Sequence, residues 1–435
     1  MVTEPDVERR LTLTIERPVA GGRMLARDEG RVVLVSGAIP GERVVVRVEH
    51  VSKKVVLAST IDVLDASPDR RTPLCDPACG GAAYAHVALE RQRALKAEVV
   101  ADAFRRIGRM ALDAPVRVMA SPDRGYRLRG RLHVQGRRAG FFVERTHRLC
   151  DAAPTAQFRD DTLAAVADLI DWLGDDAGAC ASIVVGENVE ATERVLHLEP
   201  QEGRGRLLAR RVESAPTLTG ATGVTTIDRG RLVRIAGDGR VVDTTTTLCG
   251  PTDRLPPDVR WARTASSFFQ GNRYLTGALL QQVLRHVRGP RVLDLYAGVG
   301  LFSVGLAARG MTVTAVEGDE TSMADLELNA EPWTSTLTTW QAPVEVAVAT
   351  TQPGAFETVV LDPPRTGASA EAVAGVIALA PSRLVYVSCD PATLARDAAL
   401  LGAGGYRLES VEAFDLFPNT AHVETLAVFD KTVDR

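Results

Sequence analysis

RVLDLYAGVG, at residues 291–300, begins as a run of apolar residues and ends as a turn with two glycines. Such a run before a glycine turn is typical of a buried strand that leads into a helix, here expected at Leu301–Arg309. Further apolar strands are expected at 313–316, 358–361 and 384–388. Continuous apolar strands that alternate with helices predict a parallel, doubly wound sheet. In such a sheet a ligand is expected outside the carboxyl ends of the strands.

The glycine turn is compatible with two kinds of nucleotide ligand. Its glycines let the backbone approach a ligand, and the helix that follows offers unpaired amides. Glu317 ends the second strand and is placed to accept hydrogen bonds from ribose hydroxyls. A nicotinamide-dinucleotide site has almost the same pattern, because Gly298-x-Gly300-x-x-Ser303 nearly matches its fingerprint. These residues alone leave a dehydrogenase and a methyltransferase open.

Two later strands end in reactive side chains. Asp362-Pro363-Pro364-Arg365 follows one strand, and Ser388-Cys389-Asp390-Pro391 follows the next. Both strands therefore deliver a side chain to one crevice, the first a carboxylate and the second a thiol. Asp390 is placed to cap the following helix, and a helix N-terminus favours the thiolate form of Cys389. A cysteine that ends a strand is usually only a small buried side chain, but the capped turn and the neighbouring aspartate favour a nucleophile here.

Five segments of the C-terminal part carry a further signal through their order. They are Ser267-Phe268-Phe269-Gln270-Gly271-Asn272, Leu293-Asp294-Leu295-Tyr296-Ala297-Gly298-Val299-Gly300-Leu301-Phe302, Asp362-Pro363-Pro364-Arg365, Val387-Ser388-Cys389-Asp390-Pro391-Ala392-Thr393-Leu394-Ala395-Arg396-Asp397 and Phe417-Pro418-x-Thr420-x-His422-x-Glu424. Together they closely resemble the uracil-C5 RNA methyltransferases, the family that forms 5-methyluridine. The resemblance covers the catalytic third of the chain, and the N-terminal part resembles the family's TRAM RNA-binding domain. The middle region is only loosely matched.

This resemblance implies a role for individual residues. The residues expected to contact the cofactor S-adenosylmethionine are Gln270, Tyr296, Glu317 and Asp362. Cys389 would be the nucleophile and Glu424 the base. The family usually has Cys at the position of Ala297 and sometimes Asn at that of Leu301. The first difference keeps a small side chain, and the second removes a possible polar contact.

The chemistry of the reaction requires residues of these kinds. Uracil C5 is too poor a nucleophile to take a methyl group directly, but addition of a thiolate at C6 turns the ring into an enolate that can. A base then removes the C5 proton and the thiol is eliminated, so one cysteine and one carboxylate suffice. The ring edge is reached only in an unpaired or flipped base. Glu187-Asn188-Val189 imitates a motif of DNA cytosine methyltransferases, but it lies before the glycine turn and is interpreted as coincidence.

The cysteines are too sparse to form a disulfide framework. Six in 435 residues are expected to be reduced cytosolic thiols. Cys75, Cys79 and Cys150 resemble the iron–sulfur ligands of some family members, but Ala82 stands where a further ligand is expected. Three cysteines do not complete a four-thiolate set, so neither a cluster nor another metal is expected.

The length of the chain predicts several domains. Residues 1–65 are expected to form a small TRAM-like, OB-like β-barrel of at most five strands, because short apolar alternations are separated by Gly and Pro. Residues 66–262 would form a central α+β domain, in which a helix at 86–108 could pack on the catalytic domain. Residues 263–435 would form the Rossmann-like methyltransferase domain.

The net charge of −4 conceals two basic segments. Residues 9–60 hold ten Lys or Arg against five acids, and residues 122–148 hold eight Arg against two acids. Basic surfaces of this kind suit an RNA partner. The chain has no apolar run that could span a membrane, and Met1–Arg10 is charged without a following apolar core. A cytoplasmic monomer is expected.

Three alternatives remain open at this point. A nicotinamide-dependent oxidoreductase would need neither Cys389 nor Glu424. An RNA-binding protein with an inactive catalytic domain is disfavoured by the same two residues. Transfer RNA could replace ribosomal RNA as the target, although the barrel favours ribosomal RNA.

Overall fold

The computed structural model of the protein describes residues 9–212 and 220–432. Of the charged segment Met1–Arg10, only the last two residues fall within this range. The sequence prediction for the first eight residues therefore lies outside the described chain.

The described chain begins with a small β-barrel. Its strands are β1 (Arg10–Thr14), β2 (Arg17–Pro18), β3 (Met24–Asp28), β4 (Arg31–Ser36), β5 (Arg43–Val51) and β6 (Val55–Asp65). They pair in the order β1-β5-β6-β4-β3-β2, and the N–H of Glu16, which lies between β1 and β2, donates to the Leu25 carbonyl of β3 at 2.8 Å. The prediction of at most five strands was wrong. β3 buries Met24, Leu25 and Ala26 in succession, so it lacks the apolar–polar alternation by which a strand is recognised.

A long helix, α1 (Leu89–Arg106), follows the barrel. Its buried face contains Val100 and Phe104, which join the core of the C-terminal sheet. Lys96 on the same helix is buried and donates to the carboxylate of Asp415. α1 is therefore attached to the C-terminal part of the chain by both apolar packing and a buried ion pair.

The central region is built on a seven-stranded sheet. After β7 (Val118–Met119), its strands and helices are β8 (Arg129–Gln135), β9 (Arg138–Phe142), β10 (Leu149–Cys150), α2 (Asp160–Leu173), β11 (Cys180–Glu187), β12 (Arg194–Pro200), α3 (Gly205–Val212), β13 (Gly223–Asp228) and β14 (Arg231–Gly237). The sheet order is β10-β9-β8-β11-β12-β13-β14. One face packs on α2, where Leu132 and Phe141 meet Leu169 and Ile170 in a common core. Short 3-10 helices lie at Ala153–Thr155, Gly174–Ala179 and Glu331–Trp333.

The C-terminal part is a three-layer α/β unit. Its elements are β15 (Val241–Thr244), α4 (Thr245–Cys249), β16 (Arg260–Arg263), α5 (Thr276–His286), β17 (Arg291–Leu295), α6 (Leu301–Ala308), β18 (Thr312–Glu317), α7 (Glu320–Ala330), β19 (Leu337–Gln341), α8 (Val344–Thr350), β20 (Thr358–Leu361), α9 (Ala370–Leu379), β21 (Arg383–Ser388), α10 (Pro391–Ala403), β22 (Tyr406–Phe414) and β23 (Glu424–Lys431). The sheet order is β19-β18-β17-β20-β21-β23-β22-β7. The strands from β19 to β21 are parallel, whereas β23 is antiparallel to β21 and β22. β7 pairs with β22, so a strand from before the central sheet completes this one.

Helices cover both faces of the C-terminal sheet. The core on one side contains residues of α5, α6 and α7, and the core on the other contains residues of α1, α8, α9 and α10. This doubly wound sheet, the barrel and the central α+β region confirm the predicted fold class. None of the helices in the described ranges is long and apolar enough to cross a bilayer.

The structure corrects the expectation that the cysteines are all free thiols. Cys79 and Cys150 form a disulfide, while Cys75 is free. The two cysteines are brought together because the backbone of Cys79 forms an isolated β-bridge with Val143. Cys150 lies in β10, which pairs antiparallel with β9 just before Val143. Ala82 packs in the same core as these cysteines. The prediction that the protein holds no iron–sulfur cluster stays a prediction.

Candidate active site

The glycine turn after β17 is held in a conformation that only small residues allow. Gly298 and Gly300 have φ values of 57° and 88°, and a Cβ on Gly300 would lie 2.7 Å from a side-chain carbon of Leu326. Glu317, at the carboxyl end of β18, accepts a hydrogen bond from the Gly298 N–H at 2.7 Å. Its other carboxylate oxygen accepts one from the Asp319 N–H at 2.7 Å. Glu317 therefore braces the turn that it was predicted to complete.

Two carboxyl groups, one in β17 and one directly after β20, have no ion-pair partner among the described residues. Asp294 is fully buried, and the Ser303 hydroxyl donates to its Oδ2, whereas Oδ1 has no hydrogen-bond partner among the described residues. Burial raises the pKa of Asp294 to about 7. Burial and the charge of Asp294 also raise the pKa of Asp362 to about 7. A ligand with a positive charge fits such a site, because it would compensate both groups.

Gln270 and Tyr296 are the other two residues that were predicted to bind the cofactor. The Gln270 amide donates to Asp362 Oδ2 at 3.0 Å, across 92 residues of sequence. Tyr296 directly follows β17 and has a φ of 62°, a left-handed conformation that is uncommon for a residue with a side chain. The structure thus places Glu317, Tyr296 and Asp362 at the carboxyl ends of the adjacent strands β18, β17 and β20, with Gln270 bonded to Asp362.

Cys389 lies between β21 and α10, at the same edge of the sheet. Asp390 caps α10 by accepting hydrogen bonds from the Ala392 and Thr393 amides, at 2.9 Å each. The cap forms as predicted, but the pKa of the thiol is not lowered as expected. Burial and the nearby Glu424 raise the pKa of Cys389 to about 12, whereas the helix N-terminus was expected to lower it. The difference arises because desolvation and the negative charges of Glu424, Asp362 and Asp390 disfavour the thiolate.

Glu424 opens β23 beside the end of β21. The ladder pairs Ser388 with Thr425, so the residues that follow and precede them, Cys389 and Glu424, lie at the same end of the strand pair. Glu424 is buried, and burial together with the charge of Asp362 raises its pKa well above the ordinary value. Burial therefore favours the neutral form of this carboxyl.

Arg365 is a site residue to which no role was assigned from the sequence. Its positive charge lowers the pKa of both Cys389 and Glu424, opposing the effects of burial on each. Its guanidinium lies 3.4 Å from His422 Nε2. Desolvation in the crowded groove and the charge of Arg365 lower the pKa of His422 to about 4, although its side chain remains accessible to solvent. The signal was available, since Arg365 belongs to the quoted segment 362–365.

Phe268 is a second residue that the sequence left without a role. Its side chain is 55% exposed, and its carbonyl lies 3.8 Å from where a Cβ of Gly298 would be. An exposed aromatic ring next to a ligand-binding turn is suited to stack on a planar group.

Cys389 opens onto a groove of about 1300 Å³ that reaches the barrel. We call it the catalytic groove, and the residues that define it here are Arg47, Arg145, Arg148, Arg365, Cys389 and His422. Within the ranges that the structure describes, the first three arginines have no carboxylate within ion-pair distance. The groove is also lined by acids, among them Glu49, Asp62 and Asp76, but these three arginines remain unpaired between the barrel and the thiol.

Glu187 belongs to the segment Glu187-Asn188-Val189, whose likeness to a DNA methyltransferase motif was interpreted as coincidence. Its side chain has a structural role. It is fully buried and accepts hydrogen bonds from Thr162, Arg194 and Arg273. These bonds tie α2 and the central sheet to the segment before α5.

Comparisons with known proteins support this description of the chain. The family model described as tRNA (uracil-5-)-methyltransferase matches residues 224–432, and the TRAM domain model matches residues 7–61. An uncharacterized RNA methyltransferase of Corynebacterium efficiens is 33% identical over 98% of this chain and 96% of its own length. The 23S rRNA (uracil(1939)-C(5))-methyltransferase RlmD of Pseudomonas entomophila is 32% identical over 98% of this chain and 95% of its own.

A solved structure resembles the whole chain. The tRNA (uracil-54, C5)-methyltransferase of Pyrococcus abyssi, in complex with S-adenosyl-L-homocysteine, has a TM-score of 0.74. The match covers 96% of this chain and 99% of the other at 24% identity, and it shows a common fold.

Proposed function

The chain belongs to the family of S-adenosylmethionine-dependent RNA uracil-C5 methyltransferases, and we propose that it methylates a uridine of 23S ribosomal RNA through a covalent bond between Cys389 and C6 of the base. The observation that carries the proposal is the convergence of Cys389, Glu424 and Asp362 at one edge of the sheet. The ribosomal target rests on relatives such as the Pseudomonas RlmD enzyme. A cytoplasmic location follows from such a substrate.

Four residues would hold the cofactor. S-adenosylmethionine supplies a methyl group on a positively charged sulfonium, a charge that suits the uncompensated carboxyls of Asp294 and Asp362. Gln270 fixes the orientation of Asp362 through the 3.0 Å hydrogen bond. Glu317 keeps acceptor capacity for ribose hydroxyls, because each oxygen of an ionised carboxylate can accept more than one bond. Tyr296 would contribute its partly buried ring.

The nucleophile and the base face the RNA side of this site. Cys389 adds to C6 as a thiolate, so C5 becomes nucleophilic and takes the methyl group. Glu424 in its ionised form then accepts the C5 proton, and the sulfur leaves. Its raised pKa makes the carboxylate a stronger base than an exposed one. Arg365 favours the ionised forms of Cys389 and Glu424, both of which the reaction needs.

RNA would enter along the catalytic groove. Arg47, Arg145 and Arg148 of the groove have no ion-pair partner among the described residues and are available to phosphates, and the barrel supplies one side of the path. The target base must be unpaired or flipped to reach Cys389. Phe268, exposed beside the cofactor turn, is placed to stack on it.

Mass-spectrometric mapping of 5-methyluridine tests the proposed substrate. RNA from cells with the gene, without it, and with a Cys389→Ala copy would be compared. The proposal predicts one position of 23S ribosomal RNA that is modified only with the intact gene. Loss of the modification from transfer RNA instead would assign the enzyme to that substrate.

A further inference from the structure

The central sheet exposes part of one face. In β8, Leu132 and Val134 point into the core against α2, so Arg131 and His133 point to the opposite face. His133 lies opposite Gly140 of β9, which places Phe142, two residues later, on that same face. Further along the sheet, Val195 of the inner strand β12 packs with Val241 and Ala265. The part around His133 and Phe142 is only half-buried.

Three aromatic rings form a continuous group on this open part. The rings of His133 and Phe142 are stacked, with centroids 3.7 Å apart and planes at 7°. His147 meets the edge of Phe142 at 5.3 Å and 84°. The Gln135 amide holds the turn that carries His147 by donating to its carbonyl at 2.7 Å. We call His133, Phe142 and His147 the outer stack.

The outer stack is surrounded by cations. Arg138, Arg145 and Arg148 are exposed, and within 9–212 and 220–432 none of them has an acid within ion-pair distance. Arg131 is paired with Glu199 at 2.6 Å, yet its side chain is still 55% exposed. Glu144, the acid nearest in sequence, is bound to Arg23 at 3.3 Å. The surface therefore combines flat rings with unbalanced positive charge.

The outer stack is continuous with the catalytic groove. Arg145 and Arg148 line that groove together with Cys389, and they lie in the same turn as His147. A strand of RNA in the groove would thus pass beside the rings. Aromatic rings with flanking arginines are the usual means by which proteins bind unpaired bases, since every base has a face to stack on.

We propose that the outer stack is a second RNA-binding site, on which an unpaired nucleotide near the target uridine stacks while Arg138, Arg145 and Arg148 contact its phosphates. The site rests on the proposed function in taking RNA as the substrate. It is separate from the catalytic residues and would set how far a substrate loop must extend from the modified base.

Photocrosslinking tests the contact directly. A single-stranded oligouridylate containing 5-iodouridine would be bound to the full-length Cys389→Ala protein, irradiated and digested, and the crosslinked peptides identified by mass spectrometry. We expect an adduct on the peptide that contains Phe142 or His147. Because this measurement requires no methyl transfer, it remains informative even if the enzyme modifies a different RNA.

Binding measurements with paired variants complete the test. Phe142→Leu keeps the apolar bulk and His147→Ala alters an exposed side chain, and each should weaken oligouridylate binding on the order of tenfold. Arg138→Ala should reduce the salt dependence of binding, whereas Arg137→Ala should not, because Arg137 points to the other face and pairs with Asp171 at 3.1 Å. In methylation of ribosomal RNA, the outer-stack variants should raise KM and leave kcat unchanged.

Unchanged affinity of Phe142→Leu and His147→Ala, with no crosslink at either residue, would overturn the proposal and assign this face to another partner.

Discussion

At the scale of single residues, the reactivity of the site is set by a few opposing charges. Desolvation raises the pKa of both Cys389 and Glu424, and the positive charge of Arg365 acts against that effect. The sequence indicated the thiol from its place after a strand, whereas the role of the acid was implied only by the family resemblance. It could not predict their pKa values, because these depend on how deeply each group is enclosed and on Asp362, which lies elsewhere in the chain.

The charges around Cys389 predict opposite effects of two substitutions. Glu424→Gln removes a group that raises the pKa of the thiol, and Arg365→Gln removes one that lowers it. At a fixed, mildly alkaline pH, iodoacetamide should therefore alkylate Cys389 faster in Glu424→Gln and more slowly in Arg365→Gln than in the wild type. Peptide mass spectrometry would measure both rates. Equal rates in the three proteins would mean that neither charge affects the pKa of the Cys389 thiol.

Glu317 has two tasks in the cofactor site, and its removal should affect both. Glu317→Ala deletes the acceptor for the Gly298 amide and the proposed ribose contact. Loss of a charge-assisted hydrogen bond costs roughly 1.5–3 kcal/mol, so S-adenosylmethionine binding should weaken correspondingly. Titration calorimetry would measure the dissociation constant, with Cys389→Ala as the control that should remain within a few-fold of wild type. Unchanged affinity of Glu317→Ala would place the ribose elsewhere.

At the scale of elements, α1 does more than connect two regions of the chain. Its Lys96 reaches Asp415 across 319 residues of sequence and also donates to the Phe417 carbonyl at 3.1 Å. The segment that follows leads to His422 and Glu424. The helix therefore supports the strand connection on which the proposed base depends.

Removing one partner of this buried pair should be costly. Lys96→Ala leaves Asp415 buried without its cation, a change that typically costs about 3–5 kcal/mol. Chemical denaturation should reveal this loss as a lower midpoint. Arg105→Ala on the same helix is the matched control, because the Arg105 ion pair is exposed and such pairs contribute little. A similar small effect of both substitutions would show that the pair is not essential to the attachment of α1.

Elements with a strong periodic pattern were the most predictable. α1 was expected at 86–108 and spans Leu89–Arg106, and β17 has its expected ends. β2 and β3 were missed because neither alternates apolar and polar residues. The Cys79–Cys150 disulfide and the outer stack were missed because they arise from strand pairing, which no local pattern in those segments indicates.

At the scale of the whole molecule, three regions contribute to one surface. The catalytic groove takes Arg47 from the barrel, Arg145 and Arg148 from the central region, and Arg365 from the catalytic sheet. The overall charge of −4 gave no indication of this arrangement, although the basic segments did. Binding of RNA is therefore expected to depend on all three regions.

The salt dependence of RNA binding should report on this surface. Each phosphate contact that is lost lowers the slope of log K against log salt by about 0.7 for a single strand. The combined variant Arg47→Ala, Arg145→Ala, Arg148→Ala should therefore flatten the slope by roughly 2. Point substitutions are preferable to deletion of the barrel, which would expose Tyr84 and Leu95 from its core. An unaltered slope would remove the groove as the RNA path.

The most direct test of the account is a search for a trapped intermediate in Glu424→Gln. If Glu424 removes the C5 proton, its loss still permits thiolate addition and methyl transfer but prevents elimination. A methylated RNA should then remain joined to Cys389 through C6 and appear as a slower band on a denaturing gel. The band should require both RNA and S-adenosylmethionine, and it should be absent from the Cys389→Ala, Glu424→Gln double variant. Normal turnover by Glu424→Gln without a shifted band would contradict the account, because the proton would then leave by a route that does not involve Glu424.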